Sequence, residues 1–142
     1  MKKIVLLVIA LMMVASVAFA QKATKITAND LAGLKGTWEG ILGFGITDAA
    51  TSPVTLEILN DAVPVKAKLT VRSFPKEIAA QLGVQEGANV FEGDDGQITS
   101  QGTLVFAGPN KNFFEVTFTG KDKASMWYIF KMIKGTGSLK KK

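Results

Sequence analysis

The chain has 142 residues, among them no His and no Cys, and its 17 basic against 12 acidic residues give a formal charge of +5 at neutral pH. The missing residue types exclude disulfide staples, thiolate and imidazole metal sites, Cys nucleophiles and any Ser-His-Asp triad, so that only carboxylate, Lys, Tyr or Ser/Thr chemistry is left. The positive surplus is mild, and part of it is the run Lys140-Lys141-Lys142. That run is too short to neutralise many phosphates and has no interleaved aromatics, so it reads as a solvated tail and nucleic acid is not an expected partner.

In chain order, Lys2 and Lys3 form a positive start, Ile4 to Val17 an apolar run, and Ala18-Phe19-Ala20 a small-x-small cleavage pattern. This is the layout of a secretory signal peptide, residues 1–20, and it predicts a mature chain beginning at Gln21 in the periplasm or outside the cell. Without Cys there is no lipid attachment site. No second apolar run approaches the ~20 residues of a membrane helix, so the processed chain is not expected to span a membrane that way. Without covalent staples, burial and backbone ladders must supply its stability.

Residues 21–35 form an N-terminal segment in which Thr27-Ala28-Asn29-Asp30 has the spacing of a capping box, Leu31 and Leu34 bury one side of a short helical turn, and Gly33 and Gly36 stop it. From residue 36 to 142 the hydrophobic period becomes two. Trp38, Leu42 and Phe44 share one face; Val54, Leu56 and Ile58 follow; then Val65, Ala67, Leu69 and Val71 alternate with Lys66, Lys68, Thr70 and Arg72. Asn60 to Pro64 has turn chemistry. A short amphipathic helix is expected near 74–82, capped by Ser73, opened by Pro75 and ended by Gly83, with Ile78, Ala79 and Leu82 on one face.

Strands resume near Ala88, and Gly93-Asp94-Asp95-Gly96 reads as a hairpin turn rather than a Ca²⁺ or paired-carboxylate site. Ile98, Leu104 and Phe106 then fall on one face. Gly108 to Asn112 turns the chain; Phe114, Val116 and Phe118 alternate with polar residues; Gly120 to Lys123 turns it again. The run from Ser125 to Ile133 is apolar on both faces, with Trp127, Ile129 and Ile133 expected on an outer face covered by a helix or a partner. Gly135-Thr136-Gly137 reads as a bend before the tail; it lacks the Gly-Lys-Ser/Thr of a phosphate loop. About eight strands joined mostly by hairpins, with no strand-helix alternation, make the fold class all-β: an antiparallel up-and-down barrel with one inserted helix.

The segment Leu34-Lys35-Gly36-Thr37-Trp38-Glu39-Gly40 resembles the opening strand of calycin-type barrels, the lipocalin and avidin group, and Gly135 to Lys141 resembles their closing strand. The resemblance implies a calycin-like barrel with Trp38 packed at its closed end. Lipocalins often set a late Arg against that Trp; the only Arg here is Arg72, so Lys131 or Lys134 would have to substitute. With only Trp38 and Trp127, the chain offers no basis for an avidin-type biotin site.

The inward set gives the candidate ligand-lining residues Trp38, Leu42, Phe44, Leu56, Ile58, Leu69, Phe106, Phe114, Val116 and Phe118. Such a wall suits a small apolar ligand, and the same residues suit a solid core; Gly40, Ala67, Ser100 and Gly102 are the small positions that leave room. Three readings compete. One is an exported soluble lipocalin-like barrel binding a small apolar ligand. The second is a non-enzymatic interaction module docking through strand 125–133. The third, an outer-membrane barrel, is disfavoured by short strands, the lack of aromatic girdles and the lysine end. The first is preferred. No catalytic residue, metal or cofactor is expected, and the protein is not expected to be an enzyme.

Overall fold

The computed structural model describes residues 22–45, 50–84, 86–107, 112–130 and 133–142. The expected signal peptide and its cleavage point, and most of the expected turn at Gly108 to Asn112, lie outside the described residues. Eight antiparallel strands form a closed barrel in sequence order: β1 (Gly36–Gly43), β2 (Thr51–Ile58), β3 (Val65–Phe74), β4 (Gly87–Ile98), β5 (Leu104–Ala107), β6 (Asn112–Phe118), β7 (Lys123–Phe130) and β8 (Ile133–Lys141). A 3-10 turn (Ala28–Asp30) and helix α1 (Leu31–Leu34) precede β1, and helix α2 (Lys76–Leu82) lies between β3 and β4.

Alternation sets the faces. Trp38, Leu42, Val54, Leu56, Ile58, Val65, Ala67, Leu69 and Val71 all point inward and are buried. Their neighbours Glu57, Lys66, Lys68 and Arg72 face out. Each strand pairs antiparallel with the next, and the circle closes where β1 pairs with β8, from Trp38 opposite Lys141 to Gly43 opposite Thr136. Two glycines permit that seam. A Cβ on Gly40 would lie 2.0 Å from the Ser138 carbonyl oxygen, and one on Gly137 would lie 2.0 Å from that of Ile41.

The N-terminal turn forms as its spacing predicts, except that Gly33 lies within α1 rather than stopping it. The Asp30 carboxylate accepts from the Thr27 backbone N–H at 2.7 Å and from its hydroxyl at 3.0 Å. At the β2–β3 connection, the Asn60 amide donates to the carbonyls of Ala62 and Pro64, while its oxygen accepts from the Lys66 N–H at 2.7 Å. This polar side chain thereby braces the turn beside the backbone bond from the Leu59 N–H to the Lys66 carbonyl at 2.8 Å.

Four expectations are corrected. Gly93 to Gly96 is no hairpin: β4 runs through it. Val65 pairs with Gly96 and Ala67 with Gly93, so β4 spends one residue more than β3 across this interval, a β-bulge at Asp94-Asp95. The hairpin falls instead at Thr99 to Thr103, where the Thr99 N–H donates to the Thr103 carbonyl at 2.9 Å and the two hydroxyls lie 2.7 Å apart. Ser73 does not cap α2. It belongs to β3, its N–H donates to Ser52 Oγ at 3.0 Å, and Pro75 holds the N-cap position; Gly83 ends the helix at φ 65° as expected. The apolar run 125–133 is two strands, so Ile133 starts β8 and packs toward the core, while Trp127 and Ile129 face out half-buried with no helix over them.

The fourth correction concerns the chain's end. Gly135 to Gly137 is no bend, and Lys140-Lys141 is no solvated tail: both belong to β8. The Lys142 N–H extends the ladder to the Thr37 carbonyl at 2.9 Å, and its ammonium lies 3.0 Å from Glu39. A sequence window sees only lysines here; the pairing that orders them comes from β1, far away in the chain.

Candidate functional site

The barrel has two unlike ends. At the end where β1 begins, the N-terminal segment acts as a plug. Ile26, Leu31 and Leu34 are buried, the Ile26 N–H donates to Gly102 at 3.0 Å, and the Thr24 N–H donates to Phe118 at 2.7 Å. The Trp38 indole N–H donates to the Leu34 carbonyl at 2.9 Å, and the Lys141 ammonium donates to the Gly33 carbonyl. The cation near this Trp is therefore Lys141. Arg72 lies on the outer face with Glu39 and Thr55, Lys134 stands 5.3 Å from the ring of Trp127, and Lys131 lies outside the described residues.

All ten candidate lining residues, from Trp38 to Phe118, are inside, none more than 4% exposed. They meet one another. Trp38 lies edge-on to Phe118 at 5.3 Å, and Phe106 stacks on Phe114 at 4.6 Å. Phe106 also fills the space over the bulge, where a Cβ on Gly93 or Gly96 would lie 2.9 or 2.4 Å from its ring. The small positions do not leave the room expected of them. Gly40 lies under the β8 backbone, Gly102 against Lys25 and Ile26, Ser100 in an exposed turn, and Ala67 in the packed core.

The α2 end differs. Four rings form a connected tier: Phe44 to Phe74 at 5.5 Å, Phe74 to Phe91 at 6.5 Å, and Phe91 to Tyr128 at 5.2 Å. Ile78 and Ala79 of α2, both 1% exposed, pack down on this part of the core. Three apolar side chains here, Val84, Phe91 and Ile133, pack against the core yet remain half-buried. Only Ile98, beside the opposite hairpin, shares that state among the described residues. Phe74, Phe91 and Tyr128 were not among the candidates. Alternation from Val71 would have placed Phe74 outward, and a register shift between the two turns it inward instead, while Tyr128 sits in a strand whose two faces are both apolar.

Polar groups are few in this tier. Ser52 is fully buried; its hydroxyl donates to the Pro53 carbonyl at 3.2 Å and accepts from Ser73. Burial pushes the Tyr128 phenol far above its ordinary range, because the phenolate would lose its hydration. Tyr128 is the chain's only tyrosine, so ultraviolet titration reads it alone. The folded protein is expected to show no phenolate at about pH 11, whereas the denatured chain ionises near pH 10. The folded phenol holds its proton where the unfolded one loses it, so this contribution to stability is complete below about pH 10 and declines above it. A folded-state transition near pH 10 would place Tyr128 in water.

Grooves also lie outside the interior. One of about 520 Å³ runs beside the plug, over Ile26, Leu34 and Phe118. Another, of about 390 Å³, lies on the β7–β8 face. Among the described residues no group of three or more Asp or Glu is placed to hold a metal ion, and no helix is long and apolar enough to cross a membrane.

No protein-family model matches the chain, and no curated protein matches its sequence. Among solved structures, a de novo designed fluorescence-activating β-barrel superposes with a TM-score of 0.53 at 12% identity, covering 80% of this chain and 97% of that one. At that identity the likeness is one of fold: a closed antiparallel barrel, consistent with a calycin-like frame.

Proposed function

We propose that the protein is an exported, non-enzymatic, lipocalin-like barrel that carries a small, neutral, apolar molecule at its α2 end, among Phe44, Phe74, Phe91 and Tyr128. The observation that carries this reading is the contrast between the ends among the described residues: the N-terminal segment is hydrogen-bonded across one, while inward apolar side chains at the other stay half-buried beside α2. A tier of rings is a surface on which an apolar guest is desolvated at little cost in protein order. The outward row of Glu57, Lys66, Lys68 and Arg72 supports a barrel that stands in water, the inverse of the lipid-facing pattern of a membrane barrel. The designed barrel of similar fold is described as fluorescence-activating, which supports the use of such a frame around a small guest.

The neutral class follows from the lining. Within the tier the polar side chains are Ser52, the protonated Tyr128 and the half-buried amide of Asn89, none of them a cation to offset a buried anion. The test is a pair of dyes with one skeleton, N-phenyl-1-naphthylamine and its sulfonate analogue, 1-anilinonaphthalene-8-sulfonate. The neutral dye is expected to give a saturable rise in emission, and the sulfonate to bind at least ~10-fold more weakly, because its charge would be buried unpaired. Failure of both dyes to bind overturns the reading. Equal binding would retain the site and overturn its neutrality.

A further inference from the structure

We propose that the outer face of the β7–β8 hairpin is a docking surface for an anionic phospholipid bilayer, with lipid phosphates held between Lys123 and Lys140. The inference is independent of the interior ligand site. From residue 123 to 142 the chain carries Lys123, Lys131, Lys134, Lys140, Lys141 and Lys142 and no Asp or Glu. Register decides where some of these charges go. Lys123 lies directly opposite Lys140, which in turn lies opposite Glu39 across the β1–β8 ladder, and two residues further along Ser125 lies directly opposite Ser138. Like charges opposed across a ladder destabilise a sheet unless an anion lies between them.

These four residues line the groove of about 390 Å³ on this face, together with Glu39, Thr119, Ala124 and Leu139. Two ammonium groups and two hydroxyls thus border one concavity, a donor set suited to phosphate oxygens. The one carboxylate there, Glu39, is already engaged by Arg72 at 3.5 Å and Lys142 at 3.0 Å. Neither Lys123 nor Lys140 belongs to an ion pair among the described residues, where the pairs are Lys68–Glu57, Arg72–Glu39 and Lys142–Glu39.

Apolar neighbours select a bilayer over a free phosphate ester. Trp127 and Phe113 face outward with ring centroids 5.0 Å apart, Ile129 follows on the same face, and Lys134 lies 5.3 Å from the Trp127 ring. Across the seam, Ile41 is opposite Ser138 and 59% exposed. Indole at headgroup depth, apolar side chains beside it and lysines reaching phosphates are the chemistry of an anionic membrane surface.

The test is sedimentation with phosphatidylcholine vesicles containing about a third phosphatidylglycerol, compared with phosphatidylcholine alone. It uses protein purified from its own host, in the form the host leaves it. Expected are binding to the anionic vesicles only, release as salt rises well above physiological strength, and a blue shift of emission that Trp127→Phe abolishes. The double variant Lys123→Gln/Lys140→Gln is expected to weaken partitioning about 10- to 30-fold. Its melting temperature should change by no more than a few degrees, because relief of the Lys123–Lys140 repulsion offsets the lost attraction of Lys140 for Glu39 across the neighbouring ladder. Lys66→Gln/Lys68→Gln, away from the hairpin, should leave binding within about twofold.

Absence of binding to anionic vesicles, or equal binding to both kinds, overturns the proposal. So does equal weakening by the two double variants, which would mean net charge alone. Full displacement by millimolar glycerol phosphate would assign the groove to soluble phosphate esters and overturn the bilayer.

Discussion

Gly137→Ala is expected to destabilise the barrel by about 3 kcal/mol or more, lowering its melting temperature by roughly 10–20 °C. The new Cβ would meet only backbone: the Ile41 carbonyl oxygen at 2.0 Å, its carbon at 2.9 Å and the Leu42 Cα at 3.2 Å. A side chain in the way can turn aside; a paired strand cannot move without loosening the ladder that closes the sheet. Gly43→Ala is the control within the same seam. Its Cβ has its nearest contact at 3.9 Å, from the Thr136 carbonyl oxygen, and the change should stay within about 1 kcal/mol. Equal urea midpoints for the two variants would mean that the close approach of β1 and β8 does not hold the seam.

Trp38→Ala is expected to cost ~3–5 kcal/mol, the range for removing a large buried aromatic. Three losses coincide. A fully buried ring leaves a void, its edge contact with Phe118 disappears, and the Leu34 carbonyl loses the indole N–H that satisfied it. The last term loosens the plug as well as the core. Trp38→Phe separates them, because it keeps most of the ring and gives up the hydrogen bond, and should cost about 1–2 kcal/mol. Limited proteolysis should cut the segment around Lys25 sooner in both variants, and sooner still in the Ala variant. An Ala variant within 1 kcal/mol of the parent would be incompatible with Trp38 as the anchor of the sealed end.

Period-two hydrophobicity made the barrel legible because each strand spans only a few residues and one face is dry. Val65 to Val71 could be assigned to a face from composition alone. What stayed hidden depended on partners distant in sequence. Gly93-Asp94-Asp95-Gly96 has the composition of a turn, yet a neighbouring strand absorbs its extra residue as a bulge, with both glycines turned toward Phe106. Ile133 changed faces because it opens β8 rather than continuing β7. The site was legible in part for the same reason. Phe44 and Phe114 follow the alternation, whereas Phe74 lies beyond a register shift and Tyr128 in a strand apolar on both sides.

The ladder between β1 and β8 also fixes an order of events. Seven of the eight ladders join strands consecutive in the chain; the remaining one brings together residues such as Glu39 and Lys142, 103 positions apart. Closing that longest loop carries the greatest entropic cost and yields no contact until both ends are present. As the chain is made, β1 keeps a bare edge until β8 is available to pair with it. Hairpins can form and dissolve early, but the cylinder closes only after the eighth strand has joined.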